Sequence, residues 1–223
     1  MKVAILLYED FTALDAIGPY EVLRFLPGTE VQFVGKRRGV AKSDSGFLSI
    51  VTEHDITSVS SADILVIPGG PGQIVAERDP EILDWVQRIH ATTQFTTSVC
   101  TGSIILGAAG LLRGLRATTH WMYLERLREF GAEPTLERVV PQGKIVTAAG
   151  VSSGIDMALT LAATIAGPDV AQSLQLSIEY DPQPPFDAGS PKKAPAHVTE
   201  MVRQAFTDFF ATYTERRAAA GGQ

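Results

Sequence analysis

Cys100 is the only cysteine in the chain, and it stands in Ser98-Val99-Cys100-Thr101-Gly102. The apolar, β-branched run Phe95–Val99 precedes it, and a glycine-spaced helical stretch, 101–109, follows. A strand that turns sharply into a helix around a nucleophile has this form, here with Ser98 where a glycine is commoner. Such a turn lifts the side chain above the sheet, and the helix N-terminus beneath it favours a thiolate. The amide of Thr101 is then aimed where negative charge would develop on a bound substrate. A cysteine packed only as a small hydrophobe has no reason to occupy such a junction.

Three other positions could join this chemistry. Gly69-Gly70-Pro71-Gly72 follows the apolar run Ile64–Ile67. It lacks the Lys-Ser/Thr of a phosphate loop and the spacing of a dinucleotide fingerprint. Its glycines would let backbone amides approach a substrate and complete an anion hole. Asp15, in Leu14-Asp15-Ala16-Ile17-Gly18-Pro19, follows the first apolar run. There it either caps the next helix or, from the loop beside the elbow, trades protons with whatever Cys100 attacks. His120, in Thr118-Thr119-His120-Trp121, is the histidine best placed for a Cys–His pair, and serves equally well as a structural hydrogen bonder. His54, His90 and His197 are scattered among polar neighbours, and no metal-ligand spacing is present.

These residues need a scaffold, and the apolar pattern supplies one. Short β-branched runs at 3–7, 31–34, Ile64–Ile67, Phe95–Val99, near Val139 and at Ile145–Ala148 read as strands. Helical patterns cover 16–26, 80–91, 101–109, Trp121–Phe130 and 153–165, and 39–53 reads as a hairpin. This alternation predicts an α/β fold, a doubly wound, mostly parallel sheet with helices on both faces. Ligands of such sheets bind outside the carboxyl ends of the strands. Residues 1–170 form the expected domain. In 171–223, the Pro- and Gly-rich stretch 180–195 reads as extended or looped. A helix over about 197–213 then carries Val198, Met201, Val202, Ala205, Phe206 and Phe209 on one side. It is expected to pack on the same domain or on a partner subunit.

Composition narrows the partners. The 223 residues are 45% hydrophobic and 20% charged, with a formal net charge of −6 and a pI near 5.2. That balance argues against nucleic acid, which demands clustered Lys and Arg. A lone cysteine forms no internal disulfide. The first residues carry Glu9 and Asp10 where a signal peptide would be cleaved. No apolar run is long enough to span a bilayer. The expectation is a cytoplasmic protein with no membrane partner.

Together, Leu14-Asp15 with Gly18-Pro19, Ile67-Pro68-Gly69-Gly70, Ser98-Val99-Cys100-Thr101-Gly102-Ser103, Ala117-Thr118-Thr119-His120-Trp121 and Gly154-Ile155-Asp156 resemble the DJ-1/PfpI superfamily. The resemblance covers nearly the whole chain and implies a flavodoxin-like fold. Within the superfamily the strings are most similar to the isocyanide-hydrating (isonitrile hydratase) branch. The tail "EYDPQPPFDAGSPKKAP" is the most discriminating match. That branch implies a small-molecule isocyanide substrate, hydrated to an N-substituted formamide through a thioimidate on Cys100, with Asp15 carrying the proton. The implied pocket is Gly69, Gly70, Thr101, Val151, His120 and Trp121, without metal or organic cofactor, in a homodimer whose site lies near the subunit interface. Thr101 stands where the protease-like branch has a histidine, and Asp15 where the DJ-1-like branch has a glutamate. Peptidase and glyoxalase chemistry are therefore not expected. Regulators of the AraC type share the Cys-Thr-Gly and Thr-Thr-His-Trp strings but continue into helix-turn-helix modules, and this chain is not expected to be a complete regulator of that kind. The alternative from another class is a redox or stress sensor in which Cys100 is oxidised to a sulfinate. Asp15 separates the two, because only proton transfer to carbon needs it.

Overall fold

Residues 3–7 are all buried, and five apolar side chains in a row with no polar alternation suit only a strand covered on both faces. In the computed structural model, which describes residues 1–220 and side chains to 215, this strand, β1 (Lys2–Leu7), lies near the middle of the main sheet. Helix α1 (Ala13–Leu23) follows, then β2 (Glu30–Gly35), the antiparallel hairpin of β3 (Gly39–Lys42) and β4 (Ser49–Thr52), and the short β5 (His54–Asp55). Next come β6 (Ile64–Ile67), α2 (Gln73–Ala76), α3 (Pro80–Thr92), β7 (Phe95–Val99) and α4 (Gly102–Ala108). Beyond α4 lie β8 (Arg116–Ala117), a 3-10 helix (Trp121–Phe130), β9 (Glu133–Pro134), β10 (Val139–Gln142), β11 (Ile145–Ala148) and α5 (Ser153–Ala166). The chain finishes with α6 (Pro168–Ser177) and α7 (Ala196–Ala220).

The seven-stranded sheet runs β10-β11-β7-β6-β1-β2-β5. Every neighbouring pair is parallel except β10 with β11. The chain steps from β1 to β2 on one side and then to β6 on the other, so strand order reverses at β1 and β6. In doubly wound sheets that reversal opens the crevice where ligands bind. The carboxyl ends of β1, β6 and β7 are therefore adjacent, and they lead into Asp15, Gly69 and Cys100.

Several boundaries shift for identifiable reasons. α1 starts at Ala13 rather than 16, so Asp15 sits in its first turn and not in a loop. Gly18 and Pro19 face α5 closely: a Cβ on Gly18 would stand 3.0 Å from Ile155 Cγ1, and one on Gly154 would stand 3.1 Å from the Pro19 ring. Trp121–Phe130 is helical as expected but wound as a 3-10 helix. α6 was not read from the sequence. Gly167, at φ 91°, breaks α5, and Pro168 restarts a helix in its favoured first position. That helix buries Ala171 and Leu174.

The chain divides into two compact units, Met1–Tyr180 and Asp181–Gln223. In the second, α7 is one continuous helix on which Phe209 and Tyr213 stack with ring centroids 6.0 Å apart. Residues 221–223 of the expected tail segment lie outside the described residues.

Gly102, the first residue of α4, sits where a side chain would collide with the carbonyl of Ile67 at the end of β6. Gly102→Ala forces that helix away from the sheet edge. The expected cost is about 1–3 kcal/mol, read as a lower denaturant midpoint at unchanged slope.

Candidate active site

Cys100 is held at φ 56°, in the left-handed region. For a residue with a Cβ that conformation costs on the order of 1–3 kcal/mol and persists only where surrounding structure over-determines it. Here it does. The Cys100 amide donates to the carbonyls of Ala148 and Ala149, both at 3.1 Å. The Cys100 carbonyl accepts from Thr119 Oγ1 at 2.9 Å and from Ser103 Oγ at 3.2 Å. Thr118, beside Thr119, donates its amide to Thr147 Oγ1 on β11 at 2.9 Å. The elbow expected from the sequence is present, and the Thr118-Thr119 pair helps to hold it shut.

Asp15 is completely buried. Its Oδ2 accepts from the Gly69 amide at 2.9 Å, whereas Oδ1 has no hydrogen-bond partner. Burial pushes the carboxyl up to about 8, against the opposing pull of the Gly69 amide and of Cys100. Asp15 is therefore a protonated acid at neutral pH. It does not cap its helix, since Thr12 occupies the N-cap position.

Cys100 is 6% exposed. Burial pushes its thiol up, and the charge of Asp15 adds to this. The amide and hydroxyl of Thr101 pull the other way. The thiolate expected from the helix N-terminus is not the resting form. α4 has only seven residues, and desolvation outweighs what its terminus and the Thr101 donors supply. Thiol and carboxyl thus form a coupled pair holding two protons.

The glycine loop differs from an open anion hole. Gly69 N–H is taken by Asp15, and Gly70 N–H donates to Thr101 Oγ1 at 3.0 Å. Both amides position reacting groups instead of pointing at empty space. Bare glycine is required for this: a Cβ on Gly69 would stand 2.5 Å from Thr101 N, and Gly70 has φ 127° with the Thr12 amide equally close. Thr101 is the residue whose amide faces the sulfur.

His120 is 8% exposed, and burial lowers it to about 4, so it is neutral. Its Nδ1 accepts from the Met122 amide at 3.4 Å and caps the 3-10 helix. It provides no imidazolium for Cys100. Trp121 packs on it, ring centroids 5.9 Å apart. Gly150 lies between His120 and Cys100, where a side chain would strike the imidazole and reach within 3.3 Å of Sγ. Half-buried Val151 follows Gly150 and adds only apolar surface. Gly150 was missed, and so was the polar group of Arg126, Glu77 and Gln73 whose charges act on the Tyr123 phenol. Only the threefold spacing of residues 120, 123 and 126 hinted at that group. Among the described residues, no three His, Cys, Asp or Glu side chains converge on a point where a metal would sit.

The raised carboxyl has a thermodynamic signature. An unfolded Asp15 releases its proton near pH 3.9, whereas the folded one keeps it to about 8. Between these values the folded chain binds the extra proton, so stability is full below the lower value and is lost as pH rises to the upper. The fall is at most about 1.4 kcal/mol per pH unit. Asp15→Asn should flatten it in urea titrations run from pH 5 to 8. An unchanged slope would show that the buried carboxyl is ionised.

Comparison with known proteins places the chain in a family. The DJ-1/PfpI family model matches residues 1–164. The chain is 41% identical to the isonitrile hydratase of Pseudomonas putida over 222 residues, covering 99% of this chain and 97% of that one. A THiJ/PfpI family crystal structure from Pseudomonas syringae superposes with a TM-score of 0.90 at 40% identity, covering 94% of this chain and 87% of that one. A transcriptional regulator from Pseudomonas aeruginosa, CdhR, is 29% identical over 138 residues, 61% of this chain but 40% of the regulator. A strained cysteine at a strand–helix turn and a match across most of the chain lead to one assignment: this chain belongs to the DJ-1/PfpI family.

Proposed function

We propose that this chain is an isocyanide hydratase, converting R–N≡C and water to an N-substituted formamide, R–NH–CHO. The observation that carries the reading is the protonated, buried carboxyl of Asp15 beside the strained Cys100. An isocyanide carbon bears no hydrogen, whereas the formyl carbon of the product bears one. The site must therefore deliver a proton to carbon while a nucleophile adds there, and this pair does both. Near-full-length identity to a protein named isonitrile hydratase supports the same chemistry.

With one of its two protons lost, the pair reacts through its thiolate–carboxylic acid tautomer, reached when the Asp15 carboxylate takes the thiol proton. The Sγ electron pair forms the C–S bond as Asp15 gives its proton to the same carbon, leaving a thioimidate, Sγ–CH=N–R, and a carboxylate. That carboxylate then takes a proton from water as the water oxygen attacks the carbon. The C=N electron pair moves to nitrogen, which takes a proton from a neighbouring acid, and the proton of the new hydroxyl later restores that acid. The C–S bond breaks with its electrons returning to Sγ, and the hydroxyl becomes the formyl carbonyl. Thr101, through its amide and hydroxyl, stabilises the sulfur anion at both ends of the cycle. Gly69 and Gly70 hold Asp15 and Thr101 in place. His120, Trp121 and Val151 wall the pocket without titrating at working pH.

A redox sensor needs an accessible, low-pKa thiol. Burial and the raised thiol at Cys100 disfavour that reading. Working in the cytoplasm as a homodimer belongs to the proposal. Two-fold assembly is the commonest arrangement for soluble chains, and among the described residues no helix is long and apolar enough to cross a membrane.

Purified protein should convert an alkyl or aryl isocyanide to the formamide, and Cys100→Ala should abolish this with fold intact. Asp15→Asn should lower turnover roughly 10²–10⁴-fold while Cys100 is still alkylated by iodoacetamide. Unchanged turnover in either variant would overturn the mechanism. In the parent, kcat/KM should rise with pH towards about 8, as the pair sheds its first proton, and fall when the second leaves. A profile flat across this range would remove the pair from the rate-determining chemistry.

A further inference from the structure

The helix over Trp121–Phe130 runs ten residues as a 3-10 helix, well beyond the three or four at which such helices usually stop. At three residues per turn, side chains three apart eclipse one another. His120, Tyr123 and Arg126 therefore stand in single file. The head of the file, His120, lies beside Cys100 across Gly150. At its foot, two nitrogens of the Arg126 guanidinium donate to the Glu77 carboxylate at 3.2 Å each. That carboxylate is 6% exposed and also accepts from the Gln73 amide. Separating such a pair would leave a buried charge uncompensated, so the helix is pinned against α2 and cannot slide. Tyr123 is fixed between the two ends. Its amide donates to the His120 carbonyl at 2.8 Å, and its half-buried ring meets the imidazole edge-on at 6.5 Å. Burial raises the phenol above its usual value against the opposing pull of the Arg126 guanidinium, so it stays protonated.

Hydration has a proton requirement that Asp15 does not meet. Asp15 serves the carbon and then the water. When water adds to the thioimidate, the C=N electron pair arrives on nitrogen, which is strongly basic and needs an acid at that moment. We propose that the Tyr123 hydroxyl donates the hydrogen to the substrate nitrogen, and that the Glu77–Arg126 pair holds it in position to do so. This rests on the isocyanide-hydratase reading. As the water oxygen bonds to carbon, the nitrogen takes the proton of Tyr123 Oη, leaving a phenolate. As the C–S electrons return to Sγ, the new hydroxyl loses its proton to that phenolate and becomes the carbonyl. Tyr123 ends each cycle as it began.

Tyr123→Phe keeps the ring against His120 and removes only the donor. The test is a series of para-substituted phenyl isocyanides, read by formamide appearance and by the intact mass of acid-quenched protein. The expected result has three parts. The kcat falls roughly 10²-fold with iodoacetamide alkylation of Cys100 unchanged. A protein species heavier by one isocyanide accumulates. The defect is smaller for the para-nitro than for the para-methoxy substrate, because electron withdrawal stabilises the nitrogen that has lost its donor. Unchanged kcat, or a loss equal across the series with no adduct, overturns the proposal. If the phenylalanine variant does not fold, 3,5-difluorotyrosine in place of Tyr123 gives the answer: adduct decay altered by the more acidic phenol supports it, and unaltered decay overturns it. If the parent turns over no isocyanide, the hydratase reading fails, and that result is distinct from a parent that works equally well with and without the Tyr123 hydroxyl.

Discussion

The left-handed backbone at Cys100 is the constraint around which the rest of the site is arranged. Its strain is balanced by hydrogen bonds from three separate segments: the carbonyls of Ala148 and Ala149 at the end of β11, the hydroxyl of Thr119 and the hydroxyl of Ser103 in α4. The neighbouring loop passes within a Cβ's breadth of this turn at Gly69, and at Gly70 it passes as close to the backbone of residues 10–12, so bare glycine is needed at both. With the loop that close, the Gly69 amide reaches Asp15 and the Gly70 amide reaches Thr101. Asp15, Cys100 and the Thr101 hydroxyl are thus one connected arrangement.

The electrostatics follow from that closeness. Among the described residues no cation acts on the sulfur: His120 is neutral, and the Arg126 guanidinium is paired with Glu77. Low-pKa cysteines usually owe their ionisation to a positive neighbour. Here a dry carboxylic acid takes that place, and the same desolvation that keeps it protonated also keeps the thiol protonated. The arrangement suits a reaction that needs a proton and a nucleophile at one carbon, and suits poorly one that needs a standing thiolate.

What could be read from the sequence was what is local. The elbow around Cys100, the β-branched runs and the hairpin at 39–53 each depend on residues close in the chain. The state of Asp15 does not. It is buried against segments distant in the chain, the Gly69 amide and Cys100 among them, so its raised carboxyl was not legible. The thiolate expectation failed for the same reason, because a helix terminus can be seen in a sequence and desolvation cannot. His120 reads from the sequence as either catalytic or structural, and in the structure its Nδ1 caps the 3-10 helix. That winding itself was invisible, since an amphipathic ten-residue pattern fits 3.0 and 3.6 residues per turn almost equally. Tyr123 and the Glu77–Arg126 pair depend on it.

The strand order carries one more consequence, for how the protein is made. Asp15, Gly69 and Cys100 come from the ends of β1, β6 and β7, with long stretches of chain between them. Parallel pairings of this kind close late, after loop entropy has been overcome. During synthesis or refolding, every strand and helix can form while thiol and carboxyl remain apart, each in water and each with an ordinary acidity. Their joint chemistry comes into being only when the last of the three strands docks, and until then Cys100 stands in water as an ordinary thiol, easier to ionise and to modify than the one that folding buries.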